Sequence, residues 1–184
     1  MPFHRTRHGP GRRSGAPVDS TVGASNLPSS KSTLMYTKSF IASWADMDFN
    51  AHMKNTAFLD RAADVRMMFF SENGFPMSEF VRLRIGPVIM KDEVEYFREI
   101  ALLDAFSVDL SLAGLAPDGS RFLMRNTTTR ADGKHSATVT SAGGWLDLGE
   151  RRLTAPPAPL LAALNTLERT RDFVELPPRG QSGA

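Results

Sequence analysis

The fold is decided by residues 52–74, HMKNTAFLDRAADVRMMFFSENG, whose apolar side chains recur with the period of an α-helix. The central stripe of this helix consists of Phe58, Ala62, Val65 and Phe69. Further apolar side chains flank the stripe, so we expect the helix to be largely enclosed by other parts of the chain. The pattern predicts a helix from about His52 to Asn73, with Gly74 as its C-terminal stop.

Beyond the helix, the chain alternates between extended stretches and tight turns. Residues 106–112 alternate strictly between apolar and small or polar side chains, which is typical of a half-buried strand. Strands are predicted at 36–44, 87–100, 106–112, 121–130 and 135–146, and a C-terminal helix at 160–171. Gly143 and Gly144 indicate a bulge or a close backbone approach in the last strand. This order of elements predicts an α+β fold, with one antiparallel sheet wrapped around one long helix.

The composition divides the chain into a leader, a body and a tail. Residues 1–33 are rich in Gly, Pro, Ser, Thr and Arg, so we expect them to form a disordered basic leader. Residues 34–172 are predicted to form one globular domain and residues 173–184 a flexible C-terminal tail. An arginine-rich, acid-poor leader leaves organellar targeting open, and the alternatives are a plain tail or a translation start at Met35.

Charge and residue usage exclude several classes of function. Residues 1–38 hold six basic side chains and one acidic one, so the remainder carries a net charge of −3 within an overall +2. A mildly acidic body argues against nucleic-acid binding. The chain has no cysteine, which excludes disulfides, thiol nucleophiles and thiolate metal sites, and we expect no metal centre. No apolar run approaches the roughly 20 residues of a membrane span, and we expect a cytoplasmic protein.

Polar side chains that can carry chemistry are concentrated in the turn before the helix. They are Asp46, Asp48, Asn50, His52 and Asn55. Aspartate and asparagine often precede helices because their side chains cap free backbone N–H groups, and capping accounts for one or two of these residues. Two acids, a histidine and two asparagines beside a very apolar helix also fit a functional site. The residues alone leave the structural and the functional interpretation open.

The same turn resembles the signature D-x-D-x-x-G-H-x-N-N-x-x-Y…R of hotdog-fold acyl-CoA thioesterases, and most closely the 4-hydroxybenzoyl-CoA thioesterase-like group. The matching residues are 46–55, Phe58, Arg66, 85–88 (IGPV), 94–98 (VEYFR) and 132–134 (DGK). The resemblance covers roughly residues 36–165 and implies the hotdog fold, in which an antiparallel β-sheet wraps around one long central helix. Arg66 and Asp64 on this helix are expected to form a buried ion pair.

The resemblance also implies roles for individual residues. It makes Asp48 the catalytic carboxylate, and we expect Asp46 to be structural. The implied substrate contacts are His52, Asn55, Phe58, Gly86 and Val88. A carboxylate beside a thioester can activate water or attack the carbonyl directly, while N–H groups at the helix start hold the developing oxyanion. Ala51, Lys54 and Phe58 replace the usual Gly, Asn and Tyr, which bears on substrate identity.

The implied activity is hydrolysis of an acyl thioester to a free acid and a thiol. The carrier is coenzyme A or an acyl carrier protein, and no cofactor is expected beyond the coenzyme A of the substrate. Because one sheet over one helix leaves strand edges exposed, we expect a homodimer or homotetramer whose acyl site is completed at the subunit interface. The alternatives are a non-catalytic acyl-thioester-binding protein and an enoyl-thioester hydratase on the same fold.

Overall fold

The computed structural model describes residues 35–178, so the predicted leader at 1–33 lies outside the described residues. The elements in chain order are β1 Tyr36–Ile41, α1 Asn55–Glu72, α2 Met77–Leu83, β2 Ile85–Tyr96, β3 Ala105–Leu115, β4 Arg121–Arg130, β5 His135–Asp147, β6 Arg152–Thr154, α3 Ala158–Leu164 and β7 Arg169–Glu175. A short 3₁₀ turn at Trp44–Asp46 precedes α1. The predicted long helix and the strands before β6 are therefore present, with ends that differ by a few residues.

The strands form a sheet with the order β1-β3-β4-β5-β2, to which β6 is added beside β5 and β7 beside β3. All pairings are antiparallel except β3 with β7. The turns between β3 and β4 and between β4 and β5 contain Gly119 and Gly133, whose φ angles of +70° and +77° favour glycine. Within residues 35–178, this order leaves β1 and β2 at the two ends of the sheet path, so each presents one unpaired edge.

Helix α1 packs against β1, β3 and β5 and supplies much of the core. Its buried residues are Ala57, Phe58, Ala62, Val65, Arg66, Phe69 and Phe70. Below its C-terminal half lies the fully buried Trp145, whose ring centroid is 5.4 Å from those of Phe70 and Phe122. The indole N–H donates to the carbonyl of Gly119 over 3.0 Å. None of the helices in residues 35–178 combines the length and the apolar character needed to cross a membrane.

The glycine pair in β5 marks a close backbone approach, one of the two predicted alternatives, while the bulge lies opposite it in β2. A Cβ on Gly143 would collide with the Val88 carbonyl and would lie 2.7 Å from the Phe122 ring, so the backbones approach too closely for a side chain. The register of β2 against β5 shifts between Ile89 and Lys91, which leaves Met90 as an extra, bulged residue opposite this site.

The C-terminal prediction was wrong in two respects. The helix predicted at 160–171 ends at Leu164, and Arg169–Glu175 forms strand β7 instead. The tail predicted from residue 173 therefore begins inside a strand. The amide side chain of Asn165 donates to the Leu161 carbonyl over 2.9 Å and helps to end α3. The following stretch then pairs in parallel with β3, opposite Gly114. The described chain thus combines a largely antiparallel sheet with three α-helices, of which α1 is the longest.

Candidate active site

The turn between β1 and α1 holds the carboxylate of Asp48 in a defined place. The Asp48 N–H donates to the His52 carbonyl over 2.8 Å, and the Asp48 carbonyl accepts from Ala51 over 3.2 Å, so the loop closes on itself. The Oδ1 atom of Asp48 accepts from the backbone N–H groups of Asn50 and His52, at 2.7 and 3.1 Å. Among residues 35–178, no donor contacts Oδ2. The carboxylate is therefore fixed through one oxygen, and the residue is exposed to solvent.

Asp46 has a different environment, although it lies only two residues earlier. It is 5% exposed, and its Oδ2 accepts from the backbone N–H and the hydroxyl of Ser43, at 2.8 and 2.7 Å. Arg61 donates to its Oδ1 over 2.8 Å. Burial opposes ionisation, but the hydrogen bonds from Ser43 and Arg61 outweigh it, so the pKa of Asp46 lies below its ordinary value. These contacts support a structural role for Asp46.

Helix capping explains only one of the polar residues that follow Asp46. The N-cap of α1 is Lys54, whose side chain does not cap the helix, and the Oδ1 atom of Asn55 accepts from the first-turn N–H of Thr56 over 2.9 Å. The ammonium group of Lys54 instead donates to the Ala45 carbonyl over 2.8 Å, and its backbone N–H donates to the Asp46 carbonyl. The side chain of His52 is exposed and makes no hydrogen bond within the described chain. The functional interpretation of this turn is therefore favoured over the capping interpretation.

Ala51 stands where the resembled signature has glycine, and its φ of +60° lies in the left-handed region. Alanine carries a steric cost there that glycine avoids. Ala51→Gly is therefore expected to raise the free energy of unfolding by about 1 kcal/mol. The measurement is urea unfolding, with Ala63→Gly inside α1 as the matched control, which should lose about 1 kcal/mol. Equal losses in both variants would contradict a strained Ala51.

A pocket of about 390 Å³ opens beside the N-terminal end of α1. Its walls are Met53, Asn55, Phe58, Tyr96, Phe97, Arg98 and Glu99. The rings of Phe58 and Tyr96 meet edge to face, with centroids 5.5 Å apart, and the Tyr96 hydroxyl donates to the Asn55 carbonyl over 3.4 Å. Met53 connects the pocket to the turn that carries Asp48, because it directly follows His52. Pocket and carboxylate therefore belong to one region of the chain.

The structure brings some of the predicted substrate contacts together and separates others. Asn55 and Phe58 line the pocket, and His52 directly precedes Met53, which forms part of the wall. Gly86 and Val88 do not line it, because they lie near the start of β2 while the pocket is at its end. A strand rises about 3.3 Å per residue, so Gly86 is roughly 30 Å from Tyr96. Gly86 and Val88 are therefore not part of this pocket, and their role as substrate contacts stays a prediction.

Sequence reasoning gave no role in the pocket to the segment Tyr96–Glu99, which forms its second wall. The signal for most of this wall is the VEYFR block at 94–98, which also carries part of the family resemblance. Arg98 is held there by a 3.0 Å hydrogen bond to the His135 carbonyl, and Phe97 packs on the His135 ring with centroids 4.4 Å apart.

The predicted ion pair between Arg66 and Asp64 is absent. Residues two apart on a helix point to different faces, so the two side chains do not meet. Asp64 instead accepts from Arg61 over 3.0 Å. Arg66 is 7% exposed and turns toward the sheet, where its Nη1 donates to the Ser141 hydroxyl over 2.7 Å. Burial lowers the pKa of Arg66, and the nearby charge of Asp92 opposes this shift.

Comparison with known families connects this site to a class of proteins. The family model of the thioesterase-like superfamily matches residues 42–164, which include the Asp48 turn, α1 and the pocket. The chain belongs to the thioesterase-like superfamily. This assignment confirms the family that the resemblance indicated. A comparison with curated protein sequences found no match. Within the described residues of this superfamily member, no group of three or more His, Cys, Asp or Glu could hold a metal ion.

Solved structures of a CoA-bound protein and of two thioesterases share the fold. SAV2348 from Staphylococcus aureus, in complex with CoA, has a TM-score of 0.67 at 20% identity and covers 83% of this chain and 96% of its own. Slr0204, a 1,4-dihydroxy-2-naphthoyl-CoA thioesterase from Synechocystis, has a TM-score of 0.65 at 16% identity. The match covers 71% of this chain and 96% of Slr0204. The gentisyl-coenzyme A thioesterase BH1999 has a TM-score of 0.62 at 17% identity. The match covers 70% of this chain and 98% of BH1999. This superfamily member therefore has the hotdog fold.

Proposed function

We propose that this protein is an acyl-CoA thioesterase in which Asp48 is the catalytic carboxylate. The observation that carries the proposal is the solvent-exposed Asp48, presented by a turn whose backbone fixes Oδ1. Asp46, the other acid of the turn, is occupied by Ser43 and Arg61. Family membership supports the reaction class, and the CoA-bound and CoA-thioesterase relatives support a CoA thioester as substrate.

The proposed reaction has two alternative first steps, which lead to the same products. Asp48 either removes a proton from a water that attacks the thioester carbonyl, or attacks that carbonyl itself to form an anhydride that water then cleaves. In both cases the carbon–sulfur bond breaks, the acyl group leaves as a carboxylate, and the sulfur leaves as the thiol of coenzyme A. The choice between base and nucleophile does not change the residues involved.

The start of α1 supplies the proposed stabilisation of negative charge. Asn55 is the first helical residue, and its backbone N–H has no acceptor among the described residues. This free N–H group and the helix dipole at this end favour an oxyanion, which develops on the carbonyl oxygen as the nucleophile adds. His52 and Asn55 are proposed to orient the substrate or water, and Phe58 to contact the acyl group in the pocket.

We also propose that the working unit is a dimer or tetramer joined along β2. This strand ends the sheet path, and Met90 and Tyr96 of the strand, together with Phe97 just after it, are about half accessible. Pairing with a second copy would satisfy the open backbone edge and cover these side chains. It would also bring a further wall, from the second copy, to the pocket at the end of β2.

Light scattering at micromolar concentration is therefore expected to give a mass of at least twice 20.2 kDa. Met90→Asp should shift the mass toward the monomer, because it places charge on the proposed interface. Met77→Asp, at an exposed methionine in α2, is the matched control and should leave the mass unchanged. A fully active wild-type monomer would contradict the shared site.

The function is tested by release of free thiol from a panel of acyl-CoAs and of acyl groups on carrier protein. We expect turnover of at least one acyl-CoA, and the panel then identifies the acyl type and the carrier. Saturable binding without thiol release would favour the non-catalytic alternative. Hydration of an enoyl-CoA without thiol release would favour the hydratase. The cytoplasmic location and the absence of a further cofactor remain predictions from the sequence.

A further inference from the structure

The guanidinium of Arg66 is buried in the core with only part of its donor capacity used. Both hydrogen bonds of this group come from Nη1, which donates to Ser141 over 2.7 Å and to Asn126 over 3.3 Å. Among residues 35–178, no acceptor contacts Nε or Nη2. These two nitrogens form the edge of a guanidinium that binds a carboxylate through two parallel hydrogen bonds. The edge suited to a carboxylate is therefore open on a side chain that is 7% exposed.

Arg66 lines a cavity of about 120 Å³ whose other walls are apolar. They include Ala63, Met67, Phe70, Pro87 and Ile89. An ionised group in such surroundings is costly unless it is paired and hydrogen-bonded. The nearest opposing charge is Asp92, which lies on the far side of Ser141, accepts from its hydroxyl over 2.5 Å and is exposed to solvent. The cavity thus offers an apolar enclosure with one incompletely paired cation.

This cavity and the proposed active-site pocket are both formed between α1 and β2. The pocket lies at the start of α1 and the end of β2, and the cavity lies toward the end of α1 and the start of β2. Arg66 is eleven residues after Asn55, a separation of about 16 Å along the helix axis. Helical side chains lean toward the N-terminus, which shortens this distance to the guanidinium. An extended chain of about 12 carbons spans it, given carbon–carbon bonds of about 1.5 Å.

We infer that the cavity beside Arg66 binds a carboxylate at the far end of the acyl group, so that the substrates are thioesters of long dicarboxylic acids. This inference rests on the proposed thioesterase function and names its substrate class. The phosphates of coenzyme A fit the cavity poorly, because a space of about 120 Å³ with apolar walls does not hold a nucleotide. A plain acyl chain would fill the apolar part and leave the open edge of Arg66 unpaired.

The test compares dodecanedioyl-CoA with dodecanoyl-CoA, which differ only at the far end of the chain. The wild-type protein should hydrolyse the dicarboxylic thioester with a kcat/KM at least tenfold higher. Arg66→Met should abolish or reverse this preference, because it removes the guanidinium and keeps a long side chain. Arg82→Met, at an exposed arginine of α2, is the matched control and should retain the wild-type ratio. Equal rates for the two thioesters with the wild-type protein would overturn the inference.

A binding measurement keeps the inference testable without turnover and without a folded Arg66 variant. Calorimetry on the wild-type protein should give at least tenfold tighter binding of dodecanedioic acid than of dodecanoic acid. Equal or weaker binding of the diacid would overturn the inference. The two proposals fail separately: absence of thiol release from every acyl-CoA refutes the thioesterase, while equal rates and equal acid binding refute only the Arg66 site.

Discussion

Asp48→Asn should lower the rate of thioester hydrolysis by at least about 100-fold, the scale of a lost general base. Asparagine keeps an Oδ1 that can accept from the N–H groups of Asn50 and His52, so the turn should survive. The charge and the basicity of the second oxygen are lost. The measurement is kcat for thiol release on the best acyl-CoA, accompanied by a melting curve that should match the wild type.

The matched control is Asp60→Asn, at an exposed carboxylate on α1 beyond the turn, which should keep the wild-type rate. Near-normal turnover by Asp48→Asn, combined with loss of turnover by a folded Asp46→Asn variant, would show that the two acids had been assigned the wrong way round.

The second large effect is expected on stability. Asp46→Ala should lower the free energy of unfolding by about 3 kcal/mol, because it leaves the N–H of Ser43 and the guanidinium of Arg61 without their buried acceptor. That loss corresponds to roughly 10 °C in Tm for a chain of this size. The control is Asp64→Ala, which removes the other, half-exposed partner of Arg61 and should cost about 0.5 kcal/mol.

The ion pair of Asp46 with Arg61 also predicts how the stability difference between wild type and Asp46→Ala depends on pH. Because the pKa of Asp46 is lower in the folded protein than in the unfolded chain, the carboxylate stabilises the fold above the unfolded value, near 4. This stabilisation is lost as the pH falls through the folded pKa. The gap between wild type and Asp46→Ala should therefore be full at neutral pH and shrink below about pH 4. A gap that stays constant down to acid pH would contradict the ionised pair.

Periodicity was sufficient for the elements whose burial is regular. The apolar stripe of α1 and the alternation in β3 each report one buried face, so their positions could be read without any tertiary information. Strand β7 could not be read in this way, because RTRDFVE is mostly exposed and its extended form depends on pairing with β3. Because this strand shows no regular pattern of burial, the helix predicted at 160–171 runs into its first residues.

Those parts of the candidate site that lie close together in the sequence were predictable. Asp48, His52 and Asn55 lie within one turn, so their proximity follows from sequence, and the left-handed Ala51 agrees with glycine in the signature. Contacts between distant segments were not predictable. The pocket wall at Tyr96–Glu99, the position of Gly86 away from it and the partners of Arg66 all depend on how β2 lies along α1.

Turnover number tests the central proposal most directly. The protein is incubated with a large molar excess of its best acyl-CoA, and the coenzyme A and free acid released per chain are counted by mass spectrometry. A thioesterase that uses Asp48 should release many equivalents of both products in equal amounts, and Asp48→Asn should release at least about 100-fold less in the same time. Release of no more than one equivalent by the wild-type protein, despite saturable binding, would contradict catalysis and leave a binding protein.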